Sequence, residues 1–158
     1  MVNLRKMKAE EYPQYCEYFV ADYGQEISQN YGHSIDVAID LAEQELIRCF
    51  PNGVDTDEHD LLCIELDSSH SVKVIGYLWH AIKPSDSSTF IYDFYIEDKY
   101  RGKGYGKSAI NQLESLLVSA GVNQIKLRVA YHNQRALALY QEVGFIISGY
   151  NMSKILES

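Results

Sequence analysis

The stretch from Thr89 to Val129 constrains this chain more than any other. A strand-like run, Thr89 to Glu97, leads into Tyr100-Arg101-Gly102-Lys103-Gly104-Tyr105-Gly106-Lys107-Ser108. An amphipathic face then runs through Tyr105, Ala109, Ile110, Leu113, Leu116, Leu117 and Ala120 to Gly121, after which Ile125, Leu127 and Val129 alternate with Lys126 and Arg128. An apolar period of two, then 3.6, then two predicts strand, helix and strand. Such a connection places the two strands parallel in one sheet, joined by a right-handed crossover, with a ligand site at their carboxyl ends. The glycine-rich loop stands at that end.

The other segments fill in around this unit. Val2 to Arg5 alternates as a short strand. Tyr12, Tyr15, Cys16, Phe19, Val20 and Tyr23 recur at helical spacing with Pro13 in the first turn, predicting a helix over about 9–24. The polar segment Gly24 to His33 is expected to be a mobile connection. Ser34 is placed to cap a second helical stripe, Ile35, Ile39, Ala42, Leu46 and Cys49, which stops at Pro51-Asn52-Gly53. Leu61 to Leu66 and Val72 to Ile82 read as a hairpin around Asp67-Ser68-Ser69-His70-Ser71. Asn133 caps a last helix carrying Ala136, Leu137, Tyr140 and Val143 and closed by Gly144, and a final strand is expected over about Phe145 to Ile155. The order predicts an α/β (α+β) fold, a mixed and mainly antiparallel sheet with helices on its faces. Without repeats, low-complexity tracts or linkers, residues 1–158 are expected to form a single domain.

Composition narrows the function classes. No run approaches the roughly 20 apolar residues that a membrane span needs, and Met1 to Lys8 lacks the apolar core of a secretory signal, so no membrane association and a cytoplasmic location are expected. Cys16, Cys49 and Cys63 form neither a disulfide framework nor a metal-binding pair and read as reduced thiols. The five histidines, His33, His59, His70, His80 and His132, have no partner at metal-ligand spacing, so no metal is expected and they read as structural. A net charge of −8 disfavours nucleic acid and favours cationic small molecules or basic peptides as partners.

The loop 101–106 has the chemistry of an anion cradle. Glycine there permits unusual dihedrals and close backbone approach, and the first amides of the following helix are unpaired and lie at the positive end of its dipole. A pyrophosphate suits it. The P-loop is excluded by spacing, because it requires four residues before its Gly-Lys-Ser and Gly102 to Gly106 leaves three. Nor do Gly102, Gly104 and Gly106 match the dinucleotide pattern G-x-G-x-x-G.

These residues resemble the GNAT superfamily of acetyl-coenzyme A-dependent N-acetyltransferases. Arg101-Gly102-Lys103-Gly104-Tyr105-Gly106 is similar to its signature Arg/Gln-x-x-Gly-x-Gly/Ala. Asn133-Gln134-Arg135-Ala136-Leu137-Ala138-Leu139-Tyr140-Gln141-Glu142-Val143-Gly144-Phe145 is similar to its second motif, Asn, Ala, Tyr, then Gly-Phe. The resemblance implies a sheet of six to seven strands with about four helices, acetyl-coenzyme A as acyl donor, and a small-molecule or peptide amine as acceptor. Dimers are common in the superfamily, so a homodimer is among its implications. By the same resemblance the backbone of Arg101 to Gly106, continuing into Lys107, holds the pyrophosphate. Phe94, Tyr95 and Ile96 lie along the pantetheine arm, with the Phe94 amide, freed by a bulge, polarising the thioester carbonyl. Asn133 contacts the pantetheine region, and Tyr140 protonates the departing thiolate.

The residue that takes the substrate proton is less determined. Asp93 is the leading candidate, similar in place to the acidic stretch of polyamine acetyltransferases, although those show Glu-Asp where this chain has Tyr92-Asp93. Strand alternation sets Asp93 opposite Phe94 and Tyr92. General base, amine-binding group and neither all stay open for it. Tyr23, Glu26, Tyr31 and the segment 51–59 are candidate acceptor contacts by resemblance alone. Direct transfer in a ternary complex is the leading reading, because no Ser or Cys nucleophile is evident; the alternative is a non-catalytic acyl-coenzyme A-binding regulatory module.

Overall fold

A computed structural model describes residues 2–157. Five strands, β1 (Val2–Lys6), β2 (Asp60–Ser68), β3 (Ser71–Lys83), β4 (Ser88–Ile96) and β5 (Gln124–Leu127), lie side by side in chain order. The first three pairings are antiparallel, and β4 with β5 is parallel, as the strand–helix–strand pattern requires. Four helices complete the α/β architecture: α1 (Tyr12–Tyr31), α2 (Ile35–Cys49), α3 (Tyr105–Ser119) and α4 (Gln134–Glu142).

Alternation along the strands sorts side chains between two layers. Leu4, Ile64, Leu78 and Ile91 face α3, where they meet Ala109, Ile110, Leu113 and Leu117. Leu61, Cys63 and Trp79 face α1 and α2, where they meet Tyr15, Phe19, Leu46 and Cys49. Cys49 and Cys63 are buried and Cys16 is half-buried, all free thiols, and burial pushes the first two up to about 11. The outer edge of β1 is closed by α3, whose Gln112 side chain accepts from the Leu4 amide and donates to the Val2 carbonyl.

Three expectations need correction. The sheet has five strands, not six to seven, because residues 145–157 form no strand and lie largely exposed. Gly24 to Tyr31 is not a mobile connection but the last two turns of α1, whose Ile27 packs on Ala38 and Ala42 of α2; the chain turns only at Gly32, at φ 71°. Polar composition misled here because this part of the helix presents a broad polar face. Finally, Tyr92 does not lie opposite Asp93. The register steps from Trp79↔Asp93 to His80↔Ile91, so Tyr92 is the extra residue of a bulge. It stacks on Trp79 at 4.8 Å, on the same side of the sheet as Asp93.

Two positions in the connections fit their sequence signals closely. The Ser34 hydroxyl accepts from the Val37 amide at 3.4 Å, and Asn133 Oδ1 accepts from the Ala136 amide at 3.1 Å. No helix is long and apolar enough to cross a membrane, and no cluster of metal-ligating side chains occurs among the described residues.

Candidate active site

Parallel pairing of β4 and β5 stops at Ile91↔Leu127. Beyond it the Tyr92 bulge turns β4, and the chain after Leu127 has no ladder partner, so a cleft opens between Tyr92–Ile96 on one side and residues 128–130 on the other. The range Phe94, Tyr95, Ile96 forms one wall; the glycine loop and the start of α3 form the floor; α4 and α1 close the remaining sides. The cleft measures about 870 Å³, within the range of sites that hold cofactor-sized ligands.

The loop's backbone explains its glycines. Gly102 and Gly104 adopt φ of 74° and 85°, the left-handed region that costs other residues energy. The N–H groups of residues 102–107 find no acceptor among the described residues, and they surround the cleft end beside α3. The Arg101 side chain is otherwise committed. Its Nε donates to the Ile96 carbonyl at 2.7 Å, its guanidinium pairs with Asp98 and lies over the Tyr95 ring, and the end of β4 is thereby tied to the loop. Arg101 therefore fixes the loop, and the backbone is what faces the cleft. Lys103 does not line the cleft, whereas Lys107 does and pairs with Glu142 at 3.6 Å, joining α3 to α4. The free amides, the glycine dihedrals and the size of the cleft fit a bound pyrophosphate-containing coenzyme.

Asp93 lies where α1 crosses β4. Tyr15 donates to its Oδ2 at 3.0 Å and Tyr18 to its Oδ1 at 3.1 Å. Burial pushes its carboxyl up to about 7, against the Tyr15 bond, which favours the ionised form; nearby Asp22 adds to the rise, the Tyr18 bond opposes it, and Glu26 adds further. A second cavity of about 160 Å³ adjoins, walled by Phe19, Tyr23, Trp79, Phe90 and Tyr92 and carrying Asp22, Glu26 and Glu45. Asp93 lines both cavities. Tyr140, on α4, lines the larger one; it is buried, its ring 6.3 Å from that of Phe94, and burial raises its phenol above the ordinary value, as does the charge of Asp93. Asn133 stands at the rim of the larger cavity, with Oδ1 occupied as the cap of α4.

Sequence reasoning brought the loop, the β4 end, Asn133, Asp93 and Tyr140 to one cleft. It missed Tyr15, Tyr18 and Asp22, spaced 15, 18, 22 on one face of α1, and Arg128 beyond β5. The spacing is visible in the sequence, but Tyr15 reads there as an apolar core residue, and a helix ending at 24 does not carry the stripe on to Glu26 and Gln29, as α1 does. Of the acceptor contacts implied by resemblance, Tyr23 lines the smaller cavity and Glu26 both, while Tyr31 is exposed and lines neither. His59 of the segment 51–59 accepts from Trp79 Nε1 at 3.0 Å, a structural bond behind the cavity wall.

Residues 36–145 match the model of the acetyltransferase (GNAT) family. The chain belongs to the GNAT acetyltransferase family. An uncharacterized N-acetyltransferase of Bacillus subtilis, YycN, is 32% identical over 157 residues, 98% of this chain and 99% of its own, and another, YdgE, is 31% identical over 75% of each. The crystal structure described as the putative acetyltransferase YycN superposes with a TM-score of 0.91, covering all of both chains. The PaiA N-acetyltransferase of Thermoplasma acidophilum, crystallised with coenzyme A, shares the fold at 19% identity, with a TM-score of 0.66 over 96% of this chain and 93% of its own. The GNAT family takes its acetyl group from acetyl-coenzyme A, and the cleft of this acetyltransferase is of a size to admit such a coenzyme.

Proposed function

We propose that this acetyltransferase, acting as one domain over 1–158, moves an acetyl group from acetyl-coenzyme A to the primary amine of a cationic small molecule, by direct attack within a ternary complex. The observation that carries this reading is the position of Asp93, shared between a coenzyme-sized cleft and a small cavity that is acidic and aromatic. An ammonium group suits such a cavity through its carboxylates and the faces of its rings.

The coenzyme supplies a thioester, and the chain supplies the rest. Amides from Gly102 to Gly106 hold the pyrophosphate, the expected Arg101 amide being spent on the Asp98 carbonyl at 3.1 Å; Phe94, Tyr95 and Ile96 line the pantetheine arm, with the Phe94 amide toward the thioester oxygen; Lys107 supports the phosphate end, and Asn133 offers its Nδ2 to the arm. Asp93 takes a proton from the substrate ammonium, because only the neutral amine attacks. The new N–C bond forms as the C–S bond breaks; Tyr140 donates its proton to the departing sulfur and is restored by the second proton of the acylated nitrogen, while Asp93 releases the first to solvent. Burial keeps that phenol protonated throughout the neutral range but makes it a weaker acid, so its proton passes only as charge builds on the departing sulfur. Tyr15 and Tyr18 position Asp93.

Titration calorimetry with acetyl-coenzyme A, followed by thiol release across polyamines, amino acids, aminoglycosides and peptide amines, tests this reading. Wild-type protein is expected to bind the coenzyme and release thiol only when an amine is present. Asp93→Asn and Tyr140→Phe are expected to keep binding and lose turnover. Thiol release that ignores the amine, or unchanged turnover in both variants, would refute the assignment.

A further inference from the structure

One wall of the smaller cavity is held from behind by a histidine that the acyl transfer does not use. Trp79, the only tryptophan of the chain, lines that cavity and pairs across the strands with Asp93. Tyr92 stacks on it at 4.8 Å and lines the cavity beside it. Trp79 is 1% exposed, so its N–H has no route to water and needs a partner within the protein. His59, in the turn just before β2, is that partner: the indole Nε1 donates to its Nδ1 at 3.0 Å. The His59 ring also lies 5.4 Å from that of Phe50 and 5.6 Å from that of Tyr92.

The direction of the bond fixes the protonation state of His59. An indole nitrogen only donates, so Nδ1 must offer its lone pair and the ring proton must sit on Nε2. An imidazolium carries a proton on both nitrogens. It would set one N–H against another and leave the buried indole without an acceptor. The surroundings keep the ring neutral: burial lowers its pKa below the ordinary 6.5 and Arg48 of α2 acts the same way, while Glu58, Asp60 and Glu45 oppose them. The Tyr92 phenol faces the same ring from β4. The turn that delivers the ring puts Glu58 at φ 74°, a left-handed conformation that costs a residue with a side chain energy. Packing alone calls for neither that strain nor that tautomer.

Resting on the reading of this cavity as the seat of the substrate ammonium, we infer that His59 is a positioning residue for the acceptor, its hydrogen bond holding the stacked Trp79 and Tyr92 rings as a fixed wall. Ring faces attract an ammonium only when they are turned toward it, so a wall set by one hydrogen bond makes acceptor affinity depend on that bond. Affinity is present while His59 is neutral and is lost as pH falls through its pKa. The amine stays an ammonium throughout that range.

Trp79 supplies the only indole N–H resonance and the only tryptophan emission, and both report the wall without substrate. In Asp93→Asn, where that carboxyl no longer titrates, both signals are expected to change together in one step below 6.5. Adding His59→Asn is expected to abolish the step. Asparagine keeps an acceptor near the place of Nδ1 but cannot titrate, whereas leucine has its shape and no acceptor. The amine probe is n-butylamine, its binding read through Trp79 emission at about pH 8. It is expected to bind about tenfold more weakly to His59→Leu than to His59→Asn, while calorimetry gives the two variants the same acetyl-coenzyme A Kd and so shows both folded. Equal n-butylamine affinity in the two variants, or a step that survives the removal of His59, would overturn the inference. A step that depends on His59, with wild-type emission indifferent to n-butylamine, would instead overturn the reading of the cavity as the seat of the amine, and the positioning role with it.

Discussion

Tyr18→Phe removes one hydroxyl from Asp93 and keeps the ring that packs 4.2 Å from Tyr95. The lost bond, 3.1 Å long, favours the ionised carboxylate, so its removal pushes the Asp93 pKa up from about 7. A hydrogen bond to a charged group contributes about 1.5–3 kcal/mol, equivalent to about one to two pKa units at 1.36 kcal/mol each. Tyr18 borders the open cleft, where water replaces part of the bond, and the lower figure of about one unit applies. A base must be ionised to act, so the variant's activity divided by the wild type's, at equal subsaturating substrate, is expected to be about 0.1 below pH 6. The same ratio rises to about 0.2 at pH 7 and approaches 1 near pH 9. Taking the ratio cancels the amine's own ionisation. Thiol release from pH 5.5 to 9.5 measures it, and Asp93→Asn serves as a comparison that has no such limb. A ratio independent of pH would show that Tyr18 only packs, and a shift of the midpoint to lower pH would refute the electrostatic argument.

Other perturbations follow from particular contacts. Folding raises the Asp93 pKa from 3.8 to about 7, so the folded state keeps a proton that the unfolded state has released, and stability falls as pH rises through that window. Asp93→Asn removes this dependence; thermal melts at pH 5 and pH 8 are expected to show the wild type losing about 2.6 kcal/mol more than the variant between them. Gly104→Ala places a side chain at φ 85° with open space around it, so backbone strain alone is expected to cost about 1–2 kcal/mol in urea unfolding and to weaken acetyl-coenzyme A binding in calorimetry. At Gly76 the obstacle is steric: a Cβ would lie 2.0 Å from the Tyr95 carbonyl oxygen, and Gly76→Ala is expected to destabilise by about 1–3 kcal/mol while disturbing the coenzyme wall of β4. Tyr140→Phe is expected to lower kcat by about 10²-fold with the coenzyme Kd unchanged in calorimetry; a change confined to Kd would make Tyr140 a wall of the cleft and not an acid.

What the sequence disclosed and what it hid have separate physical causes. The glycine loop was legible because its chemistry is local: the dihedrals of Gly102 and Gly104 and the free amides of α3 follow from residues next to one another. Helix caps were legible for the same reason, at Ser34 and Asn133. The Tyr92 bulge was not, because one extra residue in β4 is defined only by its register against β3, about fifteen residues away, and nothing in Phe90-Ile91-Tyr92-Asp93 marks it. Yet the bulge has the larger effect on the site. It carries Tyr92 onto Trp79 beside Asp93, so that two consecutive residues face α1, and it precedes the point at which β4 parts from β5. The hydroxyls that hold Asp93 come from Tyr15 and Tyr18, more than seventy positions earlier. A carboxylate under those two phenols, at the boundary of two cavities, is a property of how α1 crosses the bulged strand. The loop thus records in local sequence what kind of donor the chain binds, whereas its discrimination among amines is written in the crossing of elements distant in the chain.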